Sequence, residues 1–224
     1  MHPLDNVIWQ ALTTRQAQFA EGTGPVRRFQ REVTSLTAFE KPDDAVYSAL
    51  ADLVGPRGTA ALFLPAPYEA RDGWSVVGGA PLLEMVCENG HSSESALEIV
   101  ELGPQDSAEM VALAALTKPG PFGARTHELG TYLGIRQGSK LISMAGERLQ
   151  VPGYTEVSAV CTHPDHLGQG YAGILMTELM KRIRSRGETP FLHVREDNVR
   201  AVGLYEKLGF RNRVTVHYVV LRKE

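Results

Sequence analysis

Residues 157–171, V-S-A-V-C-T-H-P-D-H-L-G-Q-G-Y, run from an apolar, β-branched stretch through a Pro-Asp turn to two glycines two apart. Apolar residues then recur at Ala172, Leu175, Met176, Leu179, Met180 and Ile183, the i, i+3, i+4, i+7 spacing of one face of an α-helix. The segment predicts a strand, a glycine turn and a long helix. The first amides of a helix lack intrahelical partners and lie at the positive end of its dipole, so such a turn can capture an anion. Gly168 and Gly170 would let a phosphate reach the backbone, while the same residues also suit a plain tight turn into a buried helix.

At 224 residues the chain has material for one large domain or two modest ones. A net charge of -3 and a pI near 6.2 point to no nucleic-acid partner and no anionic membrane surface. No apolar run approaches the ~20 residues of a membrane-spanning helix, and the start, M-H-P-L-D-N, has no basic stretch followed by an apolar one. The expectation is a soluble, cytoplasmic protein. Cys87 and Cys161 stand in unrelated contexts and read as reduced thiols.

In chain order, residues 7–20 predict a helix burying Ile8, Leu12 and Phe19, and Asp43 and Asp44 begin a second, closed by Gly55-Pro56. Residues 59–64, 74–77 and 82–87 read as strands. The small, polar run E-N-G-H-S-S-E-S-A at 88–96 is the candidate boundary, dividing residues 1–95 from 96–224. Beyond it come a strand at 97–102, a helix from Pro104 to about Leu116, and a hairpin of residues 131–136 and 140–147 around Gln137-Gly138-Ser139. After the glycine turn and its helix follow a strand at 191–194, a helix capped by Asn198 and ended by Gly209, and a closing strand or hairpin at 210–221.

Residues 97–224 resemble the GNAT superfamily of N-acyltransferases, which use acetyl-coenzyme A. The resemblance rests on V-x-T-H-P, the turn L-G-Q-G-Y-A, the helix, the strand F-L-H-V, and N-x-x-A-x-x-x-Y-E-K-L-G-F at 198–210, in this order and spacing. It implies an α/β (α+β) fold: a mixed, mostly antiparallel sheet flanked by helices, with residues 1–95 as the additional N-terminal α/β domain of a two-part member, a degenerate acyltransferase-like unit. It also implies pyrophosphate on Leu167, Gly168, Gln169, Gly170, Tyr171 and Ala172, and the pantetheine arm along Val160, Cys161 and Thr162. Asn198, Ala201 and Tyr205 would complete the cofactor wall, with no metal. Leu167 stands where the family pattern has Arg or Gln, which removes a side-chain contact and leaves the backbone amides.

Acetyl transfer to an amine needs a free amine, a polarised carbonyl and a protonated leaving thiolate. An alkylamine of pKa near 10.4 is about one part in a thousand neutral at pH 7, a handicap of roughly 4 kcal/mol that a base can offset. Glu156 is the candidate base, on one strand face with Ser158, Val160 and Thr162 by the period of two. The resemblance implies that such a Glu works through a water. Tyr205 is the candidate acid, seven residues after Asn198 and so on its helix face, with the small Ala201 between them. An amide near Val160 to Thr162 would serve as oxyanion donor. Cys161 as acyl-carrying nucleophile is disfavoured by its apolar setting and by alternation, which puts it opposite Glu156. His163 and His166 lack a third metal ligand at suitable spacing, and His193 reads as a hydrogen-bonded sheet residue. The leading expectation is an acetyl-coenzyme A dependent N-acetyltransferase acting on a small amine; the alternative is a non-catalytic acyl-coenzyme A sensor.

Overall fold

The computed structural model describes residues 2–41, 43–89 and 97–224. The N-terminal part contains α1 (Val7–Thr13), β1 (Ala20–Glu21), β2 (Val26–Phe29), β3 (Thr37–Phe39), α2 (Asp44–Val54), β4 (Thr59–Leu64) and β5 (Trp74–Val86). Then come β6 (Val100–Leu102), α3 (Ser107–Thr117), β7 (Tyr132–Gln137), β8 (Lys140–Val151), β9 (Tyr154–Thr162), α4 (Tyr171–Ser185), β10 (Thr189–Arg195), α5 (Val199–Lys207) and β11 (Arg211–Lys223).

Local chemistry explains most of these boundaries. The Asp43 side chain accepts a hydrogen bond from the Val46 amide and so caps α2, and Asn198 does the same for Ala201 at the head of α5. The helix expected over residues 7–20 stops at Thr13, where two β-branched threonines meet, and the chain turns through a short 3₁₀ segment into β1. The two strands expected at 74–77 and 82–87 are one strand, β5. Pairing with β11 along its whole length carries it through Gly78, Gly79 and Pro81.

Among the described residues eight strands form one sheet in the order β4-β11-β5-β10-β9-β8-β7-β6, and β1 to β3 make a small separate sheet. All its pairs are antiparallel except β9 with β10, so the sheet is mixed and mostly antiparallel, as expected. The expected boundary at 88–96 falls largely outside the described residues. On its N-terminal side, β4 and β5 belong to the same sheet as the strands beyond it, and β5 lies between β10 and β11.

Helices α4 and α5 cover one face of the sheet: Leu175, Met176, Leu179, Met180 and Ile183 are buried against Leu133, Ile135, Val157 and Val194. Helix α3 packs on the other face against Tyr132, Met144 and Cys161, and α1 joins Leu149, Phe191 and Phe29 in a further cluster. No helix among the described residues is long and apolar enough to cross a membrane.

Candidate active site

Two irregularities open the sheet beside the glycine turn. Parallel strands β9 and β10 pair only from Tyr154 to Glu156, so the edge of residues 157–162 that faces β10 has no strand partner among the described residues. Within this stretch β9 bulges: Met144 pairs with Cys161 and Gly146 with Ser158, leaving Ala159 and Val160 opposite the single Ala145. Ala159 takes a left-handed φ of 53°, which costs about 1–2 kcal/mol for a residue with a Cβ.

The extra residue shifts the alternation that the sequence predicts. Val157 and Val160 pack with α4, while Ala159 and Cys161 pack with α3. Val160 and Thr162 therefore leave the face that carries Glu156 and Ser158, and Cys161 joins it.

The splay widens into a cavity of about 940 Å³. All the residues expected to hold the cofactor line it: Val160, Cys161 and Thr162 on β9, Leu167 to Ala172 at the turn, and Asn198, Ala201 and Tyr205 on α5. Gly168 and Gly170 have φ of 81° and 77°, and a Cβ at either would meet nothing within 4 Å. Their conformation turns the chain into α4, whose first backbone hydrogen bond runs from the Ile174 amide to the Gly170 carbonyl. The amides before Ile174 thus have no helical acceptor, which is the physical basis of anion capture. The backbone here fits a diphosphate, and Leu167 is half exposed beside it.

Tyr205 is 9% exposed, and burial pushes its phenol up to about 12. It therefore keeps its proton across the working pH range. Burial likewise raises the Cys161 thiol to about 11, despite the hydrogen bonds it makes, which leaves little thiolate for nucleophilic attack. His163 and His166 pack edge to face, 5.7 Å between ring centres, and no cluster of three or more metal-ligating side chains occurs among the described residues.

Glu156 lies near the start of β9. It is fully buried, and it does not line the cavity. Arg148 grips it in a fork, Nε to Oε2 at 2.8 Å and Nη2 to Oε1 at 2.6 Å, and His193 Nδ1 lies 2.7 Å from Oε1. Burial alone would push this carboxyl up, but the charge and hydrogen bonds of Arg148, with those of His193, outweigh it and bring it to about 2. A carboxylate so held is a poor acceptor for an amine's proton.

The Glu156 pair is the end of a row of alternating charge. Asp5 Oδ1 meets Arg213 Nη1 at 2.9 Å, and Arg213 Nε donates to Glu84. Glu84 Oε2 lies 3.3 Å from His193 Nε2, without hydrogen-bond geometry, and His193 leads to Glu156 and Arg148. Five adjacent strands, β11, β5, β10, β9 and β8, each supply one member. Both nitrogens of His193 thus face carboxylates, and neither is turned to a substrate. Sequence reasoning missed Arg148, Glu84 and Arg213; the available signal was a charged residue inside an otherwise apolar strand, as in L-L-E-M-V.

The row makes stability depend on pH in a defined sense. Burial pushes the His193 imidazole down, and its two carboxylate neighbours outweigh this and raise it above 6.5. Its contribution is complete below about 6.5 and is lost as pH rises through the raised value. Glu156 acts oppositely: its contribution is complete above about 4.5 and is lost as pH falls toward 2. Thermal denaturation should therefore show a stability loss on the alkaline side that His193→Asn diminishes. An identical slope in both proteins would contradict a charged His193.

Comparison with known proteins bears on the family and the fold. The model of the family described as FR47-like protein matches residues 132–220. An acetyltransferase of Yersinia pestis strain Pestoides F is 43% identical over 56 residues, 24% of this chain and 39% of that protein. The N-alpha-acetyltransferase RimI of Mycobacterium tuberculosis is 35% identical over 100 residues, 42% of this chain and 62% of the relative. Among solved structures, an acetyltransferase from the GNAT family of Novosphingobium aromaticivorans superposes over 100% of both chains, with a TM-score of 0.93 and 35% identity. A GCN5-related N-acetyltransferase from Kribbella flavida, 17% identical, shares the fold at a TM-score of 0.65 over 96% of this chain and 95% of its own.

Proposed function

This chain belongs to the GNAT family, and from that premise we propose that it is an acetyl-coenzyme A dependent N-acetyltransferase that acts on a primary amine by direct attack. The observation that carries the reading is the single cavity wall that holds the left-handed glycine turn, the unpaired edge of β9 and the Tyr205 ring together.

In this reading the amides at residues 168–173 receive the pyrophosphate, and the open edge of β9 receives the pantetheine arm as a strand would. An amide beyond the Ala159 bulge polarises the thioester carbonyl, and the bulge aims it away from β8. Tyr205 gives its proton to the departing thiolate, and the proton that the attacking nitrogen sheds as the amide forms passes to solvent, from which Tyr205 is reprotonated. The burial that raises its pKa also raises that of a thiolate beside it, which keeps the transfer close to balanced. Glu156 enters as a positioning residue, fixing Arg148 and His193, which line the cavity. The amine arrives from the face of the sheet opposite α4, where Leu36 and Phe63 of the N-terminal unit form part of the wall. Residues 1–95 thus have a part in acceptor binding.

Gly170→Glu tests the phosphate assignment, because it places a side chain and a negative charge at the head of α4. Coenzyme A binding measured by calorimetry should be lost. Gly153 has a similar φ of 80° with equally open space but lies outside the cavity, so Gly153→Glu carries the same backbone strain and should bind normally. Unchanged affinity in Gly170→Glu would remove the assignment.

The sensor reading predicts binding without release of coenzyme A. Tyr205, placed in the cavity with its proton retained, favours the enzyme.

A further inference from the structure

The cavity wall has a one-sided charge. Among the described residues it carries Lys118, Arg148, Arg195, Arg200 and Lys207, and no aspartate or glutamate. The chain as a whole is acidic, 26 carboxylates against 23 Lys and Arg, so composition does not account for this. Arg200 and Lys207 lie on or beside α5 with Tyr205, toward the cofactor wall. Arg195 is satisfied by Asp197 at 2.6 Å. Arg148 and Lys118 remain, on the sheet face that carries α3 and the acceptor wall.

Arg148 is built for more than its ion pair. Its Nε and Nη2 are committed to Glu156, which fixes the plane of the guanidinium, and its third nitrogen, Nη1, has no protein partner among the described residues. A guanidinium held in this way presents a directed donor to an oxygen acceptor in the cavity. Phe63 and Tyr218, with ring centres 5.9 Å apart, wall the same end, and Phe63 packs at a tilt against His193, 4.6 Å between ring centres.

We propose that the acceptor is an amine bearing a carboxylate, of amino-acid chemistry, with the carboxylate received by Arg148 Nη1 and Lys118. This rests on the acetyl-transfer reading above. A second cationic group on the acceptor would find no carboxylate in the wall and would face like charge. An alkylamine without an anion would leave Nη1 unsatisfied. The cationic wall also favours the neutral form of the bound amine, in a site whose nearest buried carboxylate is already committed to Arg148 and His193.

The test uses protein saturated with coenzyme A and calorimetric titration with butylamine, putrescine, γ-aminobutyrate, glycine, alanine and glutamate. At least one amino carboxylate should bind about tenfold or more tightly than butylamine and putrescine. Arg148→Gln should abolish that preference. Because Arg148 is part of a buried row, Lys118→Gln on the exposed loop provides the second variant; it should narrow the preference by roughly threefold or more without changing coenzyme A affinity. Putrescine or butylamine binding as tightly as every amino carboxylate, or no amino carboxylate binding at all, overturns the proposal, as does an undiminished preference in both variants. Thiol release is measured separately. An amino carboxylate that binds without thiol release would sink the acetyl-transfer reading and leave this site assignment standing.

Discussion

Tyr205→Phe should lower turnover by about 10²–10⁴ while leaving coenzyme A affinity intact, the loss expected of a general acid whose proton transfer limits the rate. The substitution keeps the ring, and the ring packs against Phe210 at 6.1 Å between centres within the buried cluster beneath α4 and α5. Fold and cofactor wall should therefore persist. Burial holds the phenol protonated well above neutral pH, so the wild-type rate should show no alkaline loss from Tyr205 until near 12. A variant that turns over at the wild-type rate would show that the thiolate leaves with a proton from elsewhere.

Glu156→Ala should be the most destabilising single change in the site. It removes the carboxylate that compensates both Arg148 and His193 and leaves two buried cations without it. Removing one partner of a buried pair costs about 3–5 kcal/mol, which for a chain of this size lowers the melting temperature by on the order of 10 °C. Glu156→Gln preserves the shape and one acceptor oxygen and should fall between the wild type and Ala. The same variants separate the two parts this residue can play. A working base predicts a folded, slow enzyme that recovers at high pH, where more amine is neutral. A positioning residue predicts a loss of stability and no such recovery, and the buried, Arg148-bound geometry favours the second outcome.

What the sequence made legible was local. The turn and α4 were readable because a glycine pair precedes a strict helical period, and Asn198 and Gly209 marked the ends of the α5 segment by capping chemistry. The residues expected along the cofactor wall came from the family resemblance that this local order carries, and they line one cavity. The position of β5 was not legible, because its partners β10 and β11 are more than a hundred residues away and nothing in Trp74–Val86 names them. The Ala159 bulge was hidden for another reason: alanine is not a residue that announces a left-handed backbone, so strict alternation was applied to Val160, Cys161 and Thr162 and placed them on the wrong faces. The charged row as a whole was hidden because its strand members come one from each of five strands, with Asp5 ahead of α1. Only the order of strands in the sheet brings Glu84, His193, Glu156 and Arg148 into contact.

On the proposed function, this cavity transfers an acetyl group rather than merely holding its carrier. The most direct measurement follows free thiol and acetylated amine together when the protein is mixed with acetyl-coenzyme A and the amine panel. Thiol should appear only when an amine is present, in step with acetylated product, and Tyr205→Phe should suppress both. Saturable binding of acetyl-coenzyme A with no amine-dependent thiol release from any acceptor would contradict the proposed function.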